Sequence, residues 1–161
     1  ALFLIVIIAF LTITYIFGIR RNSIFPIKKD NPSASITHDG EIIIGNNKVA
    51  VQVADSPEET SRGLSGKKFL AEDEGMIFVF ASKTYPAFWM KDMNFAIDII
   101  WISDGNIVQI NENVPPPAPG QKATDLPLYS PPQPINYVLE LNAGYNQKNG
   151  VKVGDSIQIN I

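Results

Sequence analysis

The first 19 residues of the chain form an uninterrupted apolar run. Residues 1–19 read ALFLIVIIAFLTITYIFGI and carry no charged side chain. As a helix they would span about 28 Å at ~1.5 Å per residue, close to the ~30 Å hydrocarbon core of a bilayer. Apolar side chains all round such a helix favour a membrane over the core of a soluble domain. The pattern predicts a single N-terminal transmembrane helix that acts as an anchor.

Three other interpretations of this segment stay open. A cleavable signal peptide needs small residues at its cleavage site, whereas residues 15–18 read Tyr-Ile-Phe-Gly. A buried core helix and a filament-forming helix that starts at a processed Ala1 are the other two. Arg20 and Arg21 follow the apolar run, and the positive-inside rule by itself would place the remaining chain in the cytoplasm.

Beyond the anchor, polar and apolar positions alternate in short runs. Residues 20–37 are polar, contain Pro and Ser and lack periodicity, which predicts a linker. Residues 38–161 show short apolar runs separated by turn signals, which predicts a β-rich domain. The expected strands cover residues 41–44, 48–54, 76–80, 87–90, 95–103, 106–111, 137–141 and 156–161.

Turn and capping signals divide these strands. Ser56, Pro57 and Glu59 have the spacing of a capping box with proline at the first helical position, and they predict a short helix that ends near Arg62. Asp104-Gly105 predicts a hairpin turn. Residues 115–134 hold eight of the 12 prolines and predict a surface loop. The expected fold is mainly β, a β-sandwich or partly closed barrel with one short helix.

Composition narrows the chemistry. The chain has no cysteine, which removes thiol nucleophiles, disulfides and thiolate metal sites. All 16 acidic residues lie from Asp30 onward, whereas four of the 13 basic residues precede it. An acidic domain repels phosphate backbones, so we expect no nucleic-acid partner. No phosphate-binding or nucleophile motif is present, and no cofactor or metal is predicted.

Three charged residues stand inside apolar strand patterns and are the candidate catalytic residues. They are Asp98 in FAIDIIWI, Glu140 in YVLEL and Lys91 in WMKDM. Carboxyl groups in apolar surroundings need partners or shift their pKa. We expect Asp98 to meet a donor, with Lys91 as first choice and Arg62 as second, and we expect Trp89 to be substantially buried. The set is either an acid–base cluster or a structural ion pair.

The residues Gly75-Met-Ile-Phe-Val-Phe80, Phe88-Trp-Met-Lys-Asp-Met93 and Ile97-Asp98-Ile99 together resemble the hallmark block of a known family. Arg62-Gly63-Leu64 precedes this block, and Tyr137-Val-Leu-Glu140-Leu, Ala143-Gly144 and Gly154-Asp155 follow it in the family's order. The family is domain of unknown function one hundred and ninety-two, and the resemblance covers about residues 48–159. Asp92 stands where the family usually has Asn.

The resemblance implies a small β-sandwich or barrel-like domain, often carried behind a signal peptide or anchor, and it implies no activity. We therefore expect a membrane-anchored, extracytoplasmic binding or accessory module of the cell envelope. The candidate binding residues are Arg62, Trp89 and Asp92. The alternative is a hydrolase- or lyase-like enzyme that uses Asp98 and Glu140 as acid and base with Lys91 as electrostatic aid.

Overall fold

The computed structural model of the protein describes residues 39–161. The predicted transmembrane anchor, residues 1–19, and the predicted linker, residues 20–37, lie outside the described residues. Within residues 39–161, no helix combines the length and apolar character that crossing a bilayer requires.

Seven strands and two short helices make up the described part of the chain. The strands are β1 (Gly40–Ile44), β2 (Asn47–Ala54), β3 (Glu74–Thr84), β4 (Ile97–Ser103), β5 (Asn106–Val114), β6 (Ile135–Asn142) and β7 (Ile157–Asn160); the helices are α1 (Pro57–Arg62) and α2 (Tyr145–Asn149). A single 3-10 turn, Ala123–Asp125, lies within the proline-rich loop.

The strands form one curled sheet, a half-barrel, in the order β5-β4-β6-β3-β2-β1-β7. Neighbours are antiparallel, except that β2 and β3 run parallel and are connected through α1. The two outermost strands approach each other at one corner. There the amide of Ile107 donates to the carbonyl of Asp155 at 2.9 Å, and that of Ile157 donates to Gly105 at 2.8 Å. Of the two expected architectures, the described residues adopt the partly closed barrel and not the sandwich.

The two faces of the sheet bury two separate apolar clusters because successive side chains on a strand point to opposite faces. The inner cluster fills the half-barrel and includes Ile42, Ile77, Ile100 and Leu139. The outer cluster lies on the convex face under the connecting loops and includes Leu64, Met76, Phe78, Met90, Ile99, Trp101 and Val138. Strand β4 is covered on both faces, and all seven of its residues are buried. This explains why its sequence is almost continuously apolar.

Several elements form where capping and turn residues in the sequence predicted them. Ser56 caps α1, its hydroxyl accepting from the amide of Glu59 at 3.3 Å, and the carboxylate of Glu59 accepts from the amide of Ser56 at 3.3 Å. The hairpin between β4 and β5 turns at Asp104 and Gly105, both with positive φ, as a two-residue hairpin turn requires. The proline-rich loop contains no strand.

Two elements differ from expectation. Residues 87–90 are not a strand; a single bridge pairs Phe88 with Tyr129. The backbone of Phe88 forms its hydrogen bonds with Tyr129 in the proline-rich loop. The segment then turns at residues 90–93, where the amide of Met93 donates to the carbonyl of Met90 at 3.2 Å. The second helix, α2, was not expected, since it is only one turn long and has no capping side chain. Tertiary contacts stabilise both elements.

Candidate functional site

A cleft of about 550 Å³ opens on the convex face of the sheet. Its walls are α1 with the turn that follows it, the middle of β3 and the loop over residues 86–93, and β6 contributes Glu140. This volume lies within the ~300–1,000 Å³ typical of small-molecule sites. Four of the lining residues are aromatic: Phe78, Phe80, Phe88 and Trp89.

Glu140 is a buried carboxylic acid in this cleft. The residue is 6% exposed, and its neighbours across β3 and β4 are Met76 and Ile99. Among residues 39–161 its carboxyl group forms no hydrogen bond or ion pair. Burial alone raises the pKa of Glu140 from its ordinary 4.5 to about 8. The side chain is therefore mostly protonated at neutral pH and able to donate or accept a hydrogen bond.

Arg62 reaches the cleft from the last turn of α1. The helix ends at Gly63, whose φ of +51° favours glycine, and a Cβ at this position would lie 3.2 Å from Cζ of Phe78. Close packing of the helix end on the Phe78 ring thus brings Arg62 to the wall of the cleft. Among the residues that the structure describes, its guanidinium forms no ion pair.

The opposite wall is the loop that carries Trp89, Lys91 and Asp92. The hydroxyl of Ser65 donates to the Lys91 carbonyl at 2.8 Å, and the amide of Gly66 donates to the Asp92 carbonyl at 2.8 Å. Asp92 has a φ of +59°, a conformation that Asn and Asp tolerate better than most residues. The Asp92 carboxylate lies 3.7 Å from Nζ of Lys91.

Trp89 is exposed, and the expectation that it would be substantially buried was wrong. Its side chain is 46% exposed, whereas the next residue, Met90, is 2% exposed. The side chains of residues 88–90 still alternate in direction. Met90 belongs to the outer cluster and Phe88 packs against it, whereas Trp89 points away from it. Nζ of Lys91 lies 5.7 Å from the centre of the Trp89 ring, within cation–π range.

Asp98 does not line the cleft. It is fully buried on the inner face, where Oδ1 accepts from the amides of Asn113 at 2.8 Å and Gly144 at 3.2 Å. Oδ2 accepts from the amide and the side-chain Nδ2 of Asn146 at 3.1 and 3.0 Å. The expected donor is present, but the expected identities, Lys91 and then Arg62, were wrong. Asp98 holds the start of α2 against β5 and leaves its carboxylate fully paired.

The structure thus brings five of the six candidate residues to one cleft and separates the sixth. Arg62, Trp89, Lys91, Asp92 and Glu140 all line the cleft, and Asp98 does not. The sequence interpretation missed the aromatic lining. Phe78 and Phe80 stand two residues apart on a strand and so share one face, a signal that could have drawn attention to them.

These observations define a small β-rich domain with a half-barrel fold and an aromatic-lined surface cleft. The family model DUF192, "Uncharacterized ACR", matches residues 40–159 of the chain. The protein belongs to this family, as its hallmark residues indicated. A comparison with curated proteins finds no match.

Solved structures that share the fold include two bacterial proteins. One is from Sinorhizobium meliloti 1021 and is described as a candidate transcription regulator; it is 30% identical, with 74% of this chain and 91% of that chain covered, at a TM-score of 0.65. The other, a protein of unknown function from Novosphingobium aromaticivorans, is 26% identical, with 74% and 83% covered, at a TM-score of 0.66.

Proposed function

We propose that the domain is a binding module for a small organic ligand and that the cleft around Glu140 is its binding site. The observation that carries this proposal is the carboxyl group of Glu140. Among the described residues it has no partner, yet it is enclosed by apolar side chains and faces an open cleft. The carboxyl group is open to the cleft, but with the residue only 6% exposed it keeps little hydration, and desolvation raises its pKa. A ligand that binds in the cleft would supply the hydrogen-bond partner that other described residues do not.

The lining of the cleft supports the same function. Aromatic side chains provide apolar contact area at low entropic cost, and tryptophan is enriched at binding surfaces. Trp89 is 46% exposed at the rim, where a ligand would cover it. The loop that carries Trp89 is held by hydrogen bonds from the Ser65 hydroxyl and the Gly66 amide, which place the site before a ligand binds.

The enzymatic alternative is reduced to Glu140 with Lys91. Asp98 faces the other side of the sheet and is fully paired, so the two acids do not form an acid–base pair. A carboxyl group with a pKa of about 8 in a cleft favours a role as a single general acid or base, and this keeps a hydrolase- or lyase-like activity as the second candidate. The binding function needs fewer groups than this reaction and is our first choice.

The setting proposed for the module rests on the apolar N-terminal run and on the family resemblance. We propose that residues 1–19 anchor it in a membrane, with the domain outside the cytoplasm as an accessory part of the cell envelope. The acid excess after Asp30 argues against a nucleic-acid partner. The regulator label of the Sinorhizobium structure therefore gives us no reason to propose DNA binding for this chain.

Thermal denaturation with a library of small metabolites tests the binding function. Ligands of the cleft should raise the melting temperature of the wild type, because a ligand that binds only the folded state stabilises it by mass action. Trp89→Ala should weaken that shift, whereas Phe69→Ala, which removes an exposed aromatic outside the cleft, should preserve it. The proposal fails if no compound stabilises the wild type or if every hit acts equally on Trp89→Ala. Turnover of a bound compound that is lost in Glu140→Gln would instead establish the enzymatic alternative.

A further inference from the structure

The chemistry of the cleft also restricts the kind of ligand. Resting on the proposed function, we propose that the ligand carries a protonated amine, whose N–H groups bind the Glu140 carboxylate while aromatic side chains enclose the cation. The geometry that points to this class is the combination of a carboxyl group without a partner among residues 39–161 and four aromatic lining residues in one cleft.

The carboxyl group supplies the charge that an amine needs. An ionised carboxylate between Met76 and Ile99 is destabilised by desolvation unless a counter-charge reaches it. Among residues 39–161 no cation pairs with it. An ammonium group that entered the cleft would provide both the opposite charge and up to three N–H donors, so charge-assisted hydrogen bonds would replace the missing partner.

The aromatic lining favours a cation over an anion. The face of an aromatic ring carries partial negative charge, and the attraction to a cation strengthens when both groups are desolvated. Trp89 already has a cation near its ring, since Nζ of Lys91 lies 5.7 Å from the ring centre. Phe88 is rigidly placed by edge-to-face contacts with Phe78 at 4.8 Å and Trp101 at 5.5 Å between ring centres.

The remaining charges near the cleft nearly cancel. Asp92 pairs with Lys91, and Arg62 on the α1 wall interacts electrostatically with Glu59 of its own helix. Lys67 interacts electrostatically with Arg62 and with Glu74 farther along the same side. The neighbouring strands place no ionisable side chain directly opposite Glu140. Glu140 is therefore the group whose ionisation state the amine would change.

This pairing predicts a specific dependence of affinity on pH. With its pKa near 8, Glu140 must lose its proton before it can bind an ammonium ion, so binding should release a proton. The affinity for an amine should rise by about 15-fold between pH 6.5 and pH 8, because the ionised fraction of the free site rises by roughly that factor. A neutral ligand that accepts a hydrogen bond from the protonated acid would show the opposite trend.

The test compares three probes of similar shape on the 161-residue chain: phenethylamine, 2-phenylethanol and 3-phenylpropionate. The readout is the pair of indole N–H resonances in a proton–nitrogen correlation spectrum, because the chain has two tryptophans. Trp89 lines the cleft, and Trp101 is fully buried with its indole bonded to Asn111 at 2.7 Å, so it reports whether each variant is folded. We expect phenethylamine to shift the Trp89 resonance at a concentration at least tenfold below that of the alcohol, and more readily at pH 8 than at pH 6.5.

Variants complete the test. Glu140→Gln should abolish both the preference for the amine and its pH dependence, whereas Glu112→Gln, which removes an exposed carboxylate outside the cleft, should preserve both. Binding of the alcohol or the carboxylate as strong as that of the amine would overturn the ligand class and leave the binding cleft intact. A Glu140→Gln variant that retains the preference would also overturn it. If no probe shifts the Trp89 resonance, the amine proposal fails, and the metabolite library decides separately whether the cleft binds another ligand.

Discussion

Asp98 and Glu140 lie on adjacent antiparallel strands, one position out of register, and their carboxyl groups face opposite sides of the same sheet. Asp98 is opposite Leu141, and Glu140 is opposite Ile99. Residues opposite one another share a face, so Asp98 points into the half-barrel and Glu140 points into the cleft. A displacement of one residue thus separates a carboxylate with four hydrogen bonds from a carboxyl group that, among the described residues, has none.

Asp98→Asn should lower the free energy of unfolding by ~2–4 kcal/mol. The substitution keeps the shape of the side chain but places an amide donor against backbone amides that also donate, so at least one buried hydrogen bond is lost. The hydrogen bonds that remain are weaker because their acceptor is no longer charged. Urea denaturation at neutral pH measures the loss. Asp73→Asn, at an exposed position, should stay within ~0.5 kcal/mol of the wild type. Equal stability of the two variants would show that the Asp98 carboxylate does not hold α2.

Glu140→Gln should change how stability depends on pH. The folded-state pKa of about 8 lies above the ordinary 4.5, so the folded protein holds this proton more tightly than the unfolded chain does. The stabilising contribution of the protonated acid is complete below about pH 4.5 and is lost as the pH rises to about 8, at up to ~1.4 kcal/mol per unit. The variant lacks this slope, so it should match the wild type near pH 4.5 and exceed it by a few kcal/mol at pH 8.

Urea denaturation at pH 4.5, 6.5 and 8 provides the comparison for Glu140. Glu112→Gln serves as the matched control because it removes an exposed carboxylate, and it should retain the wild-type slope. Parallel pH profiles for wild type and Glu140→Gln would contradict the raised pKa.

Trp89→Ala and Trp101→Ala should have very different effects on stability. Trp89 is 46% exposed, so its replacement should lower the free energy of unfolding by less than ~1 kcal/mol. Trp101 is fully buried, so its replacement should lower that free energy by ~3–5 kcal/mol. Loss of the hydrogen bond to Asn111 adds to the second value. Thermal or urea denaturation of both variants measures the two losses of stability. A large loss in Trp89→Ala would mean that the ring packs against the domain in solution.

The anchor remains a prediction. The apolar run over residues 1–19 should hold the full-length protein in the membrane fraction. Deletion of residues 1–29 should release a domain that stays soluble and keeps the circular dichroism of a β-rich fold. Cell fractionation of both forms checks this. Full-length protein that remains in solution at physiological salt without detergent would falsify the anchor.

Features that depend only on neighbours along the chain could be predicted from the sequence. Helix α1 needs only Ser56, Pro57 and Glu59 at fixed spacing, and the hairpin needs only Asp104 and Gly105, so both were predicted correctly. The hallmark residues also identified the family. Most strands followed from apolar runs, because a strand that is buried on both faces, such as β4, reads as a continuous apolar segment.

Which of the candidate residues lie together could not be predicted from the sequence, because it depends on how distant strands pair. The sequence shows that Asp98 and Glu140 stand among apolar neighbours, but the face to which each points depends on the pairing register of β4 with β6, which involves residues some 40 positions apart. The surroundings of Trp89 likewise depend on a bridge from Phe88 to Tyr129 rather than on a local pattern. Alternation along a segment predicts that its faces differ, and only the packing of distant segments determines which face is covered.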